Sequence, residues 1–338
     1  MRRVTDGVKS RRLFMAGAAA ATVLPAFSGS LKALAQDTAP APTPPPPPTP
    51  DEVANLATRN DTAMRLMVEV RVNGAGPYNF VVDTGAERSV IADNVAADLA
   101  LVTSGRATVE GIVRTLPADL VTVTELAYGP FTRANLQLPV LPRKLMEADG
   151  YLGLDAINGS RVTFDFKNRA LRVEQPKAKA PPTSETETII IHAPGIAGRL
   201  RAEHCVIDGV YATVFIDSGA ELSIGNSALK AALDKGRHPP VDMGKVVLTG
   251  ITGGEAEGRI IPVHEIRIQN LTFSDGTVVI SDAPDFDNWH LATKPALLIG
   301  MDYLRQFASV SIDYRRKEIR FELARELKGP PGVRIAQA

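Results

Sequence analysis

Two short stretches of the chain place an acid directly after an apolar run. FVVDTGAE occupies residues 80–87 and VFIDSGAE occupies residues 214–221, so Asp83 and Asp217 hold equivalent positions. A carboxylate at the end of a buried strand costs free energy unless it is hydrogen-bonded or paired. One such acid could cap a turn, but two in duplicated segments indicate that the acids face each other across a pseudo-twofold axis.

A facing pair of carboxyl groups holds one shared proton, because two like charges at short distance cannot both ionise. The ionised member can polarise a water molecule for attack on a carbonyl carbon, while the protonated member donates to the carbonyl oxygen. The residues after each acid suit this chemistry. Gly85 and Gly219 allow close backbone approach to a carboxylate, and Thr84 and Ser218 supply hydroxyls that can lock the facing loops together.

The similarity between the two halves extends beyond these motifs. Each acid follows a predicted two-residue turn, Asn73-Gly74 in the first copy and Asp208-Gly209 in the second. Downstream, residues 108–126 parallel 247–266, and residues 149–174 parallel 296–322. The same blocks occur twice in the same order, which predicts two lobes of one architecture.

Both lobes are predicted to be all-β with few short helices. Apolar and polar residues alternate over short runs bounded by Gly, Asn, Asp and Pro, which is the periodicity of β-strands. Helices are expected only at 89–101 and 226–236, with short turns near 301–307. The predicted boundaries are lobe 1 at 61–174, a linker at 175–188, lobe 2 at 189–326 and a C-terminal tail at 327–338.

These motifs resemble those of the aspartic peptidases, in particular the retropepsin-like branch. The resemblance rests on Asp-Thr-Gly-Ala at 83–86, Asp-Ser-Gly-Ala at 217–220, and the blocks YLGLD at 151–155 and LIGMD at 298–302. It covers roughly residues 62–323 and implies closed β-barrel lobes related by pseudo-twofold symmetry. It also implies an aspartic endopeptidase that hydrolyses peptide bonds with water activated between Asp83 and Asp217, supported by Thr84, Gly85, Ser218 and Gly219.

The chain departs from the retroviral-type pattern in its architecture. Those proteases usually assemble two identical chains with one acid each, whereas both acids lie on one chain here. We therefore expect a monomer that forms an intramolecular pseudo-dimer. Two alternatives stay open: each lobe could pair with its mate on another chain, or the protein could be a catalytically silent pseudo-protease that binds extended peptides as an added strand.

The resemblance further implies a β-hairpin flap over the substrate. Residues 245–263 read as two apolar strands around a tip that contains Gly250, Thr252, Gly253 and Gly254, so this hairpin is predicted to be the flap. Its counterpart at 106–117 lacks the glycine pair. An ordinary exposed hairpin at 245–263 is the alternative.

Two alanines lead to an expectation about pH. Ala86 and Ala220 stand where pepsin-like enzymes generally carry a hydroxyl residue. Losing a donor to the charged acid should leave the ionisation of the pair at higher pH, so we expect activity nearer neutral than strongly acid pH. Other donors could compensate for the missing hydroxyls.

The first sixty residues predict export. Arg11-Arg12, an alanine-rich apolar run and Ala33-Leu34-Ala35 predict a twin-arginine-type signal peptide at 1–35, with ordinary secretory export as the alternative. The run is too short to span a bilayer comfortably, so no stable membrane span is expected. Residues 36–60 read as a proline-rich linker. A bacterial periplasmic location follows from the signal.

Composition bounds the remaining possibilities. Lys+Arg and Asp+Glu both number 38, so no bulk charge favours nucleic acid, and the expected partner is a peptide or protein substrate. The single cysteine excludes an intrachain disulfide. The five histidines show no metal-site spacing, so no metal and no cofactor are predicted. Asp155 and Asp302 recur beside packing blocks and are interpreted as capping or hydrogen-bonding residues. Glu87 and Glu221 are interpreted as solvated surface charges, with ion pairing to Arg88 or to the neighbouring lobe as the alternative.

Overall fold

The computed structural model describes residues 53–57, 59–60, 66–175, 188–196, 199–323 and 333–335. The predicted signal peptide lies outside these ranges, as do most of the two predicted linkers. Strands at 53–57 and 59–60 fall within the segment predicted as a proline-rich linker, and a strand at 333–335 falls within the predicted tail. These short stretches contain no proline, so each residue can donate to a strand ladder.

The first half of the described chain contains eleven strands and three short helices. They are β1 (Val53–Ala57), β2 (Arg59–Asn60), β3 (Leu66–Val72), β4 (Ala75–Val82), β5 (Val90–Ala92), α1 (Asp93–Asp98), β6 (Thr103–Glu110), β7 (Thr115–Tyr128), β8 (Phe131–Leu141), α2 (Arg143–Met146), β9 (Gly150–Leu152), α3 (Leu154–Ile157), β10 (Arg161–Asp165) and β11 (Ala170–Glu174).

The second half repeats this order with twelve strands and three helices. They are β12 (Thr188–His192), β13 (Gly195–Ile196), β14 (Arg199–Ile207), β15 (Val210–Ile216), β16 (Ile224–Gly225), α4 (Ser227–Leu233), β17 (Gly244–Thr249), β18 (Glu255–Ile268), β19 (Leu271–Ile280), α5 (Pro284–Asn288), β20 (Ala296–Ile299), α6 (Met301–Leu304), β21 (Ser309–Asp313), β22 (Glu318–Glu322) and β23 (Val333–Ile335).

Lobe 1 is built on a sheet with the strand order β2-β3-β4-β9-β5-β8-β7-β6. An additional pairing between β3 and β7 closes six of these strands into a barrel. Strand β3 shows why the sheet closes around a core, since Leu66, Val68, Val70 and Val72 are buried while alternate positions are more exposed. The predicted β-periodicity is therefore confirmed in this lobe.

Lobe 2 has the corresponding order β13-β14-β15-β20-β16-β19-β18-β17, with β23 added to β19. Pairing between β14 and β18 makes this sheet a ring as well. The two predicted turns are confirmed between β3 and β4 and between β14 and β15: Asn73 and Gly74 both have positive φ, as do Asp208 and Gly209. Positive φ at both central residues gives the hairpin twist that antiparallel neighbours need.

A third sheet joins the lobes, with the order β1-β11-β10-β21-β22-β12. Strands β10 and β21 pair antiparallel at its centre, where Thr163 faces Ser311 and their hydroxyl oxygens lie 2.6 Å apart. Each lobe contributes three strands around this centre, which fits a pseudo-twofold axis. The described residues of both lobes fall within one compact unit, 47–338.

The helices are shorter than the sequence predicted. Residues 90–92 form strand β5 instead of the start of a helix, because Val90 and Ile91 are buried between β8 and β9, and α1 covers only Asp93–Asp98. Helix α4 begins after Asn226, whose side chain accepts a hydrogen bond from Leu229 N at 2.9 Å. Among the described residues, no helix has the length and apolar character needed to cross a bilayer.

Candidate active site

Asp83 and Asp217 lie at the ends of equivalent strands. Asp83 follows β4 and its N–H donates to Leu152 O at 3.0 Å, while Asp217 follows β15 and its N–H donates to Ile299 O at 2.9 Å. In each lobe the strand before the acid runs parallel to the strand that accepts this bond, β9 or β20. The two repeats therefore present their acids with the same backbone geometry.

The glycine after each acid brings the two carboxyl groups together. A Cβ placed on Gly85 would lie 2.6 Å from the carboxyl carbon of Asp217, and one on Gly219 would lie 2.5 Å from that of Asp83. Each carboxyl thus packs against the backbone of the opposite lobe's loop. Any side chain at either glycine would displace a carboxylate, so the spacing of the pair depends on both residues being glycine.

Backbone donors fix one oxygen of each acid. Asp83 Oδ1 accepts hydrogen bonds from the N–H groups of Gly85 at 2.8 Å and Ala86 at 3.0 Å. Asp217 Oδ1 accepts one from Gly219 N–H at 2.8 Å. Because backbone N–H donors favour the charged form of a carboxyl group, this difference favours ionisation of Asp83 over Asp217.

Thr84 and Ser218 link the lobes directly beneath the acids. Thr84 N–H donates to Ser218 Oγ at 3.2 Å, and Ser218 N–H donates to Thr84 Oγ1 at 2.9 Å. Their hydroxyls also donate across the interface, Ser218 Oγ to Val82 O at 2.9 Å and Thr84 Oγ1 to Ile216 O at 3.5 Å. Both side chains are buried, so this reciprocal set holds the acid loops in one fixed relation.

The surroundings raise the pKa of Asp217 well above its ordinary value of 3.8. Burial is the largest cause, and the negative charge of Asp83 is the next. The N–H of Gly219 opposes the increase, and the charge of Asp285 and a hydrogen bond with the Asp83 side chain add to it. Burial and mutual repulsion therefore favour a pair that carries one proton, and the two carboxyls titrate as one unit.

A second hydrogen-bonded layer supports each acid loop. Ser89 Oγ donates to Asp155 at 2.7 Å and accepts from Gly153 N–H at 3.0 Å, which ties the loop after Asp83 to the start of α3. Lobe 2 repeats this arrangement at 2.7 and 2.9 Å with Ser223, Asp302 and Gly300. The interpretation of Asp155 and Asp302 as hydrogen-bonding residues is confirmed. The sequence analysis did not identify their serine partners, although Ser89 and Ser223 hold equivalent positions after the two acid motifs.

Both acids line a cavity of about 990 Å³ that is contributed by the two lobes. Glu87 and Glu221 also line it and are exposed. Two hairpins line the cavity as well: β6–β7, with its tip at 111–114, and β17–β18, with its tip at 250–254. The predicted flap residues therefore lie on a hairpin at this cavity.

The sequence favoured only the lobe 2 hairpin, but the two hairpin tips meet. Arg114 Nε donates to Thr252 O at 2.9 Å, and Thr252 Oγ1 donates to Arg114 O at 2.7 Å. A Cβ on Gly253 would lie 2.9 Å from the Arg114 guanidinium, and one on Gly254 would approach Arg114 Cδ at 3.2 Å, so these glycines make room for the facing tip. Gly250 lies beside Ile112 of that tip.

The lobe 1 tip needs no glycine pair because its own Gly111 faces Thr252, which is fully buried. The match of Gly111-Ile112 with Gly250-Ile251 was the available signal for a second hairpin of this kind. A further cross-lobe bond joins the same region, since the Asn288 side chain donates to Glu110 at 2.7 Å. Both hairpins therefore belong to the candidate site.

Two residues near the acids were not predicted. Asp285 in α5 lines the cavity, and Tyr314 lies buried after β21 with a hydroxyl that has no hydrogen-bond partner among the described residues. Burial raises the pKa of Tyr314, and the negative charges of Asp83 and Asp217 raise it further. Asp285 lies outside the repeated blocks, and Tyr314 aligns with Phe166, which has no hydroxyl, so only the packing of the chain reveals their position near the acids.

Comparison with known proteins agrees with this arrangement. A family model described as aspartyl protease matches residues 68–156 and 204–303, which together exceed half of the chain. Each matched region contains one acid motif, Asp83-Thr84-Gly85 or Asp217-Ser218-Gly219. No curated protein matches the chain as a close relative. The chain therefore belongs to the retropepsin-like aspartyl proteases, with two tandem lobes in a single polypeptide.

Proposed function

We propose that the protein is an aspartic endopeptidase whose water is activated between Asp83 and Asp217. The observation that carries this proposal is that each carboxyl packs against the other lobe's glycine. A Cβ added to Gly85 would lie 2.6 Å from the carboxyl carbon of Asp217, and one added to Gly219 would lie 2.5 Å from that of Asp83. This packing brings two carboxyl groups from separate repeats to one point at the floor of a cavity. A pair so placed can share one proton and bind one water molecule.

We assign starting roles to the two acids from their hydrogen bonds and burial. Two N–H donors favour an ionised Asp83, and the raised pKa of Asp217 favours a protonated carboxyl there. Asp83 then takes a proton from the water molecule as the water oxygen bonds to the scissile carbonyl carbon. At the same time, Asp217 donates its proton to the carbonyl oxygen. The product of this step is a neutral tetrahedral diol, and the shared proton now resides on Asp83.

Collapse of the diol completes the reaction. Asp83 donates its proton to the amide nitrogen, the carbon–nitrogen bond breaks, and Asp217 recovers a proton from one diol hydroxyl as the carboxylic acid forms. The proton of the pair is again on Asp217, and water has been added across the peptide bond. The cross-lobe bonds of Thr84 and Ser218 hold both carboxyls still during these transfers.

Substrate entry requires movement of the hairpin tips, since Arg114 and Thr252 join them over the cavity. Opening breaks two hydrogen bonds and exposes the buried Thr252 side chain. Closure over a peptide would exclude bulk water while retaining the one water molecule between the acids, and would strengthen the electrostatic interactions of the pair. We infer that exported or envelope proteins are the substrates, because the sequence predicts a twin-arginine-type signal and a periplasmic location.

The test compares peptide cleavage by the wild type with that by Asp83→Asn and Asp217→Asn. Each change removes one half of the pair, so we expect a loss of turnover on the order of 10³-fold or more. Asp275→Asn is the matched control, because its side chain is 79% exposed on lobe 2 and it should leave turnover unchanged. Cleavage that persists in both active-site variants would refute the mechanism, and peptide binding without cleavage by the wild type would favour a peptide receptor.

A further inference from the structure

The two acid loops differ in one residue that changes the chemistry of the cavity. DTGAERSV at 83–90 aligns with DSGAELSI at 217–224, so Arg88 of lobe 1 is equivalent to Leu222 of lobe 2. Both residues line the cavity that holds the acids. The other differences, Thr to Ser and Val to Ile, conserve side-chain character. Pseudo-twofold symmetry places equivalent positions on opposite sides of the acid pair, so the cavity is chemically unequal at its two sides.

The side contributed by lobe 2 carries the apolar residues Leu222 and Val247 at two positions where lobe 1 is polar. Leu222 packs against the lobe 2 apolar cluster, and Ile224 and Leu248 of that cluster line the cavity with it. Val247 also lines the cavity and is 62% exposed, although it is a large hydrophobic residue. Asp285 adds a negative charge on this side. An apolar substrate side chain would cover Leu222 and Val247, and Arg88 has no cationic equivalent at the Leu222 position.

The side contributed by lobe 1 carries both arginines that line the cavity, although Val90 and Val109 keep it apolar at the positions equivalent to Ile224 and Leu248. Arg88 is exposed at the cavity, and Arg106 of β6 lines it while pairing with Asp119 at 3.0 Å. Thr108 stands at the position equivalent to Val247 when the hairpin tips are aligned on Gly-Ile. The cavity acids Glu110 and Glu147 also belong to this lobe, and Glu110 is hydrogen-bonded by the Asn288 side chain.

Glutamates next to the motif do not distinguish the two sides. Glu87 and Glu221 occur at equivalent positions, and both line the cavity. Their effects on a bound peptide therefore largely cancel when the two sides are compared. The guanidinium of Arg88 stands out as the cavity cation of an acid loop, and it offers a planar fork suited to a carboxylate.

We propose that this inequality selects the class of peptide and the direction in which it binds across the acid pair. The substrate has a carboxylate on the lobe 1 side of the scissile bond, bound by Arg88, and an apolar side chain on the lobe 2 side, bound by Leu222. This inference rests on the proposed endopeptidase function and deepens it. The carboxylate can be an Asp or Glu side chain or the peptide's own C-terminus. Two identical lobes could not impose such a direction, because each would present the same surface.

The experiment measures cleavage of a fluorogenic peptide library with acidic, basic or apolar residues on either side of the scissile bond. Each peptide is tested with a free and an amidated C-terminus, which separates the two sources of carboxylate. We expect the wild type to prefer an acidic over an apolar residue on the lobe 1 side by ~10-fold. Arg88→Leu should abolish this preference, Arg88→Glu should reverse it toward basic residues, and Leu222→Arg should extend the acidic preference to both sides.

Arg71→Leu is the matched control, because Arg71 is exposed on β3 and does not line the cavity. Binding of the same peptides with a non-cleavable reduced bond is measured by fluorescence anisotropy on the wild type and each variant. A preference that changes with Arg88 in binding, without turnover, would support the inference and refute the peptidase function. Turnover with a preference unaffected by Arg88 and Leu222, or a library with no binding member, would overturn the inference.

Discussion

Arg161 joins the lobes through a buried ion pair, and its replacement by methionine is expected to destabilise the whole protein. Arg161 Nη2 lies 2.7 Å and Nε 3.2 Å from Asp313 Oδ2, and Nη1 lies 2.6 Å from Glu174. The exposed fractions of the Arg161 and Asp313 side chains are 5% and 1%. The two residues pair directly across β10 and β21, at the centre of the sheet that joins the lobes.

The magnitude follows from what the substitution leaves behind. Methionine keeps most of the apolar stem of Arg161 but removes the guanidinium, so the carboxylate of Asp313 remains buried without its main partner. Breaking a buried pair from one side costs about 3–5 kcal/mol. Arg316 still compensates in part, because its Nε lies 3.8 Å from the same carboxylate and its backbone N–H donates to Asp313 Oδ1 at 2.9 Å. We therefore expect a cost near the lower end of this range, ~3 kcal/mol.

Urea unfolding at pH 7 measures this loss of unfolding free energy. Lys245→Met is the matched control, because Lys245 and Glu257 form an exposed pair at 2.9 Å with side chains 58% and 53% exposed, for which we expect at most about 1 kcal/mol. Adding Asp313→Leu to Arg161→Met removes the orphaned charge and should restore part of the stability. A cost below ~1 kcal/mol for Arg161→Met, or a double variant no more stable than the single one, would refute the reasoning.

Two further predictions concern the acid loops. Ser218→Ala removes the hydroxyl that donates to Val82 O at 2.9 Å and accepts from Thr84 N–H, so buried groups lose their partners and the free energy of unfolding falls by ~2 kcal/mol. Ser218→Thr keeps a hydroxyl and should largely rescue stability and activity. Equal melting temperatures for the wild type and both variants would contradict this prediction. Asp217→Asn tests the raised pKa of Asp217. Between the ordinary pKa of 3.8 and the raised value, folded protein keeps a proton that the unfolded chain has lost, so wild-type stability falls as pH rises through this window. Asparagine cannot ionise, so the variant should gain in melting temperature relative to the wild type between pH 3 and pH 7, and a difference that does not change with pH would contradict the assignment.

Local chemistry made much of the fold predictable. The Asn73-Gly74 and Asp208-Gly209 turns depend on residues that accept positive φ, and the structure places both turns where they were predicted. The helix expected at 89–101 was too long because the sequence carries both β-branched and helix-forming residues there. Burial of Val90 and Ile91 between two strands decided this competition in favour of β5, which is a tertiary effect.

The site shows the same division between local and tertiary causes. The sequence predicted the flap from the glycines at 250, 253 and 254, because glycine reports a tight tip. It could not show that the tip faces Arg114, since that contact joins residues 138 positions apart. Asp285 and Tyr314 were missed for the same reason, because both approach the acids only through the packing of the chain, and the residue equivalent to Tyr314 is Phe166, which does not titrate.

By itself, the sequence determined the two acids, the glycines and hydroxyls beside them, and the duplication that makes them equivalent, because these are properties of residue type and spacing. Only the tertiary structure decided that the carboxyls meet, that both hairpins close at one cavity, and that Arg161 finds Asp313. The last of these depends on the antiparallel register between β10 and β21, which pairs residues 152 positions apart. No local pattern encodes that register, because it is selected by the burial of both lobes' strands in one sheet.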